Sequence, residues 1–180
     1  PVMGADFQKG WKAFQAGDYV TALEEFLPLA QNGHALAQYN LGVMHREGKG
    51  VTKTDSAAVK WWRKASLSGL ASAQANLGLM YDKGHGVEKN TKTAFTLFQS
   101  ASEKGSVLGQ YNLGLFYVLG AGTSKDTVRG MMWLSIAAVG GHTQARKALK
   151  ILSSNVMSPA QIAEAQNLTE DCVKKNYKGC

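Results

Sequence analysis

Four histidines and two cysteines are the residues in this chain best suited to metal binding or nucleophilic chemistry, and their spacing limits what they can do. His34, His45, His85 and His142 form no i, i+4 pair, so no two of them can face one ion from a single helix. His34 and His142 each follow a turn glycine and are expected to face solvent. His45 stands where its counterparts are tyrosines, so it is read as a packed helix residue, and His85 sits between two glycines. None is read as a ligand, and neither a metal nor a cofactor is expected. Cys172 and Cys180 fit no common zinc pattern and have no histidine nearby in sequence. Their natural reading is a disulfide that pins the tail onto the last helix. The alternative is two free thiols in a reducing cytosol. A structural disulfide points to an oxidising compartment.

The elements that must position these residues are legible as a repeat. Three segments starting at Ala37, Ala73 and Gly109 align without gaps at a period of 36 residues. Nine positions are identical in all three: the sets beginning at Gln38, Asn40, Leu41, Gly42, Gly48, Gly50, Lys53, Ala65 and Gly69. Chance gives on the order of 0.2 such positions in a window of this length. Each unit reads as two helices. In helix A, Ala37, Leu41 and His45 fall on one face, and Gly42 lets another helix approach closely. Gly48-Lys49-Gly50 stops that helix, because glycine enters positive φ at little cost. The stretch from Thr52 to Asp55 supplies the N-cap of helix B. Helix B then buries Ala58, Trp61, Trp62 and Ala65. Its counterparts are Ala94, Leu97, Phe98 and Ala101, then Gly130, Trp133, Leu134 and Ala137. These large side chains are read as inter-helix packing rather than a ligand cage.

The expected organisation is therefore one continuous run: a helix pair over 6–36, full units at 37–72, 73–108 and 109–144, and a degenerate capping pair with a basic tail at 145–180. Ser158-Pro159-Ala160-Gln161 predicts a helix start with a capping box and proline at its first position. Atypical end units are expected, because terminal repeats must face water.

Composition narrows the class. The 180 residues are 44% hydrophobic and 18% charged, with 3 prolines, which excludes a mostly disordered chain. No apolar run approaches the length of a membrane-spanning helix. Lys and Arg number 20 against 13 acids, a net charge of +7, which favours anionic partners such as acidic peptides. The densest basic groups are Arg146, Lys147 and Lys150, then Lys174, Lys175 and Lys178. No basic stripe interleaved with aromatics appears, which argues against nucleic acid. The chain begins at Pro1 rather than Met. An upstream segment is expected to have been removed, by processing or by design, and a cleaved secretion signal agrees with the disulfide.

The pattern A-x-x-x-L-G-x-x-Y, then G-x-G-V, A-x-x-W and A-x-x-x-G at 36 residues resembles the Sel-one-like repeat (SLR), a branch of the tetratricopeptide (TPR) superfamily. The likeness is close over residues 37–145, and residues 6–36 look more like a plain TPR pair. His45 in place of Tyr, Thr123 in place of Val and Gly130 in place of Ala are mild departures. The resemblance implies an all-α, right-handed α-α superhelix (a solenoid) used for protein–protein interaction, in a periplasmic or secreted protein, with the cytoplasm as the alternative.

By resemblance to TPR proteins, helix A lines the concave side. The helix A face not used for packing carries Tyr39, Asn40, Val43 and Glu47. Its counterparts are Ala75, Asn76, Leu79 and Lys83, then Tyr111, Asn112, Leu115 and Leu119. Asn40, Asn76 and Asn112 form a row, one per repeat. An Asn amide offers two donors and an acceptor, so the row suits an extended peptide backbone. The alternative is that each Asn caps or bridges neighbouring helices. The expected function is a non-enzymatic adaptor or scaffold that holds a peptide or partner protein in the groove. One alternative is a carbohydrate or envelope-polymer binder using Tyr39, Tyr111 and the basic end, and another is a groove filled by the chain's own basic tail. Some cysteine-rich SLR relatives have been described as penicillin-binding or β-lactamase-like. That chemistry needs S-x-x-K, S-D-N and K-T-G motifs, and none of the three occurs here. G-K-G and G-H-G follow helices rather than strands, the wrong context for a phosphate loop.

Overall fold

The computed structural model describes residues 4–180, and over these it contains ten α-helices and no strand. They are α1 (Phe7–Ala16), α2 (Tyr19–Gln31), α3 (Ala35–Glu47), α4 (Asp55–Leu67), α5 (Ala71–Lys83), α6 (Thr91–Ser102), α7 (Val107–Leu119), α8 (Thr127–Val139), α9 (Thr143–Asn155) and α10 (Pro159–Lys174). The chain divides into two compact units, one running up to Lys89 and one from Asn90 onward.

In the first unit, each helix packs on the next, from α1 to α5. The core is built from small and large residues in alternation. Ala22, Phe26, Ala30, Ala37, Leu41 and Met44 are buried, with Phe7, Phe14, Tyr19 and Trp61 against them. Burying a side chain the size of Phe or Leu contributes roughly 1.5–3 kcal/mol, so these contacts carry the unit. Gly42 shows why a small residue is required. Trp62 lies across it, and a Cβ there would stand 2.3 Å from the indole nitrogen.

The second unit joins α6 to α7, α7 to α8 and α8 to α9, and then α10 folds back onto α8. Met131, Leu134, Ala137, Ala145, Leu152, Met157 and Ala165 form its core. Phe98 and Phe116 meet edge to face at 5.1 Å, a favourable geometry for two ring quadrupoles. The helix start expected at Ser158 is present: Ser158 and Gln161 form the reciprocal capping box with Pro159 at the first turn.

The glycines of the A-to-B turns act as the sequence indicates, whereas Thr54 stands at the N-cap of α4 without a side-chain cap bond and donates its hydroxyl to the Thr52 carbonyl instead. Gly48 closes α3 in the left-handed region at φ 74°, donating its N–H to the Met44 carbonyl. The second glycine of each loop has a different task, close approach. A Cβ on Gly50 would stand 2.6 Å from Tyr19, on Gly86 2.3 Å from Asp55, and on Gly122 2.7 Å from Thr91. Tyr19, Asp55 and Thr91 are the first residues of α2, α4 and α6, so each loop rests on the start of the preceding helix B.

Candidate functional site

Six of the residues expected on the open face of helix A come together in the first unit. Tyr39, Val43 and Glu47 on α3 and Asn76, Leu79 and Lys83 on α5 line an open groove of about 480 Å³. Arg46, Trp62, Met80 and His85 complete it. Helix geometry explains the alignment. Residues 39, 43, 46 and 47 share one face of α3, and 76, 79, 80 and 83 share one face of α5. Trp62 is buried, and its indole N–H donates to the Tyr39 carbonyl at 3.1 Å, which fixes the ring as part of the floor.

The groove has an apolar floor and a polar rim. Arg46 is held by Asp55 at 3.0 Å, Glu47 by Lys49 at 2.7 Å and Lys83 by Asp82 at 2.9 Å. The Asn76 side chain donates to the Tyr39 hydroxyl at 3.4 Å. Its remaining donor and its acceptor have no partner among the described residues. Burial raises the Tyr39 hydroxyl pKa above its usual value, and the bond from Asn76 partly offsets this. The tyrosine is therefore neutral across the physiological range and able both to donate and to accept.

The asparagine row does not act as one ladder. Asn40 is buried and borders a separate depression with Phe7, Gln8, Trp11 and Leu36. Asn112 is buried too, and its amide donates to the Leu108 carbonyl of its own helix at 2.8 Å. Of the three, Asn76 is the one that lines the groove between α3 and α5. Ala75 has no exposed surface and can touch no partner. Tyr111 and Leu115 pack against the core of the second unit, and Tyr111 stacks on His142 at 4.0 Å. In that unit Tyr111 and Leu115 serve the fold, while Leu119 at the end of the same face is exposed.

Two of the histidines have structural roles that the sequence only partly indicates. His34 and His142 are N-caps, accepting from Ala37 N–H at 3.2 Å and Ala145 N–H at 3.3 Å through Nδ1. His34 is exposed as expected, but His142 is half-buried because Tyr111 covers it, and burial lowers its pKa. His45 is half-buried on α3. No group of three or more His, Cys, Asp or Glu side chains could hold a metal among the described residues. Arg46, Trp62, Met80 and His85 line the groove without any sign of it in the sequence pattern. Trp62 looks like core by its type and spacing and is core, and it also borders the groove.

Cys172 and Cys180 are joined in a disulfide with Cα atoms 5.6 Å apart. The tail packs on its own unit, with Tyr177 beside Gly105 and Val107. No helix among the described residues is long and apolar enough to cross a membrane.

The Sel1 repeat model matches residues 35–70, 71–106 and 107–142, again at a period of 36. The chain belongs to the Sel1 repeat family. Among solved structures, an SLR-fold protective antigen of uropathogenic Escherichia coli strains is 30% identical, with a TM-score of 0.80. That match covers 94% of this chain, and the chain spans 37% of the antigen's length. A Sel1 repeat protein from Oxalobacter formigenes is 36% identical over 72% of this chain and 97% of its own, with a TM-score of 0.65. Helicobacter pylori cysteine rich protein B shares the fold at 20% identity and a TM-score of 0.54, over 81% of this chain and 98% of its own. No curated protein matches the sequence. The all-α repeat architecture read from the sequence is that of these Sel1 repeat structures, and proteins of this family generally act as protein-interaction scaffolds.

Proposed function

We propose that this chain is a non-enzymatic interaction scaffold that seats a short peptide, or the loop of a protein partner, in the groove between α3 and α5. The observation that carries this reading is the half-satisfied Asn76 amide, held by Tyr39 above the apolar floor of Val43, Trp62, Leu79 and Met80. A peptide group needs one donor and one acceptor, and Asn76 has one of each to spare. An apolar peptide side chain would fill the floor, and the fixed ion pairs of the rim would exclude charged ones that cannot pair. Because Tyr39 and Trp62 are already held in place, little ordering cost remains to be met on binding. The Cys172–Cys180 disulfide supports a periplasmic or secreted setting.

A random linear peptide library panned against the wild type, Asn76→Ala and Leu79→Ala tests the reading. Peptides sharing an apolar anchor, recovered by the wild type and lost by both variants, are expected. Equal recovery by all three proteins would remove the groove from consideration.

A further inference from the structure

Trp61 and Trp62 are adjacent in α4; Trp62 is buried, and Trp61 is half-buried, one part against the core of the first unit and the rest at the surface. Trp62 turns inward onto Gly42, whereas Trp61 borders an open depression of about 400 Å³ with Ala57, Lys60, Arg63, Lys64 and Leu67. Residues 57, 60, 61, 64 and 67 follow helical spacing, so they make one outward stripe opposite the buried Ala58, Val59, Trp62 and Ala65. Leu67 is 84% exposed. Lys64 lies over the Trp61 ring at 4.6 Å. None of Lys60, Arg63 and Lys64 forms an ion pair among the described residues.

The repeat itself does not demand this surface. One period later, the positions of Lys60, Arg63, Lys64 and Leu67 hold Thr96, Gln99, Ser100 and Glu103. Two periods later they hold Met132, Ser135, Ile136 and Val139. The last set shows what this face of a helix B can do. In the second unit α10 lies along α8, and Met132 and Ile136 are buried. Leu168 and Cys172 of α10 border Met132, and Thr169 and Val173 border Ile136. This chain therefore covers that face of α8 with an amphipathic helix, while the matching face of α4 is open. There the two buried apolar residues are replaced by lysines.

We propose that the outward face of α4 docks an acidic amphipathic helix supplied by a protein partner, laid along α4 as α10 is laid along α8. The partner's apolar stripe would cover Trp61 and Leu67. Its carboxylates would meet Lys60, Arg63 and Lys64, three cations with no competing acid beside them. A helix gives both at once, since residues three and four apart share a face and the flanks carry charge. This surface is independent of the groove beneath Tyr39 and Asn76.

The test is a display library of helix-forming peptides built on one amphipathic pattern with acidic, neutral or basic flanks, panned against the full chain. Acidic members are expected to be enriched, and their affinity should fall at least about tenfold in Lys60→Glu/Lys64→Glu and as salt is raised. Leu67→Ala should weaken them several-fold, and Asn76→Ala should leave them unchanged, which separates this surface from the groove. All three positions are exposed, and Lys60→Ala/Lys64→Ala removes the charge without reversing it. Circular dichroism melts check that each variant folds. The proposal is overturned if no acidic member is enriched, if the lysine variants bind as the wild type does, if scrambled acidic peptides bind equally well, or if only phosphatidylglycerol vesicles are retained.

Discussion

Trp62 occupies the volume that a side chain on Gly42 would need, its indole nitrogen 2.3 Å from where that Cβ would stand. The same indole N–H donates to the Tyr39 carbonyl. One contact thus sets both the spacing of α3 and α4 and the floor of the groove. Gly42→Ala should destabilise the first unit by about 2–4 kcal/mol, because the clash is with a rigid ring. Trp62→Phe should cost about 1–3 kcal/mol through the lost hydrogen bond and volume. Urea titration followed by circular dichroism measures both.

Asn76 and Asn112 occupy the same repeat position and should respond differently. Asn76→Ala is expected to change stability by less than about 1 kcal/mol, since its amide donates only to a tyrosine hydroxyl with access to water. Asn112→Ala removes the donor of a partly buried bond to the Leu108 carbonyl, and should leave peptide binding untouched. Paired melting and peptide-binding measurements on the two variants check the contrast.

Closing a short loop by the Cys172–Cys180 disulfide should stabilise the C-terminal end by about 2–3 kcal/mol through loop entropy. Asn176 and Tyr177 inside that loop sit at φ 49° and 65°, a conformation that a free tail would leave readily. Reduction with dithiothreitol, or Cys180→Ser, is expected to speed amide exchange in the last turns of α10 while leaving α3 to α5 unchanged. Hydrogen-exchange mass spectrometry reads this directly.

Glu25 accepts from the Lys9 ammonium at 2.5 Å and from the Asp6 N–H at 2.7 Å. The Lys9 bond first, then the backbone bond, holds its carboxyl below the usual glutamate pKa, and the same pair raises Lys9. A lowered carboxyl stabilises the fold above its unfolded value and loses that contribution as pH falls. The raised lysine loses its contribution only as pH climbs through the alkaline range. The wild type should therefore lose thermal stability below about pH 4.3, more steeply than Glu25→Gln does. Melting curves on both proteins across the acid range decide this.

The turns were readable because Gly48, Gly50 and their counterparts do one job in every unit, and a backbone requirement leaves an identical residue behind. The site was only partly readable. An identical Asn recurs at 40, 76 and 112, yet its role depends on what lies beside it, and periodicity within one helix does not reveal that. Asn76 finds the Tyr39 hydroxyl, Asn112 its own helix, and Asn40 a buried position. Ala75 looks like a surface residue by its spacing and is fully covered. His142, expected at the surface, is half-buried, because nothing in the sequence signals that Tyr111 stacks on it. Trp62 is core, as its spacing indicates, and its place on the groove floor is a property of packing that no residue type announces.

The resting of Gly50 on Tyr19, Gly86 on Asp55 and Gly122 on Thr91 makes each loop a gauge for the unit before it. A single inserted residue in such a loop would misfit two units at once, whereas a block of 36 could be added or lost with every such junction reproduced. Lineages of this protein should therefore change length in whole repeats, and the dimensions of a binding surface can be inherited in steps while the chemistry of any one groove stays as it was.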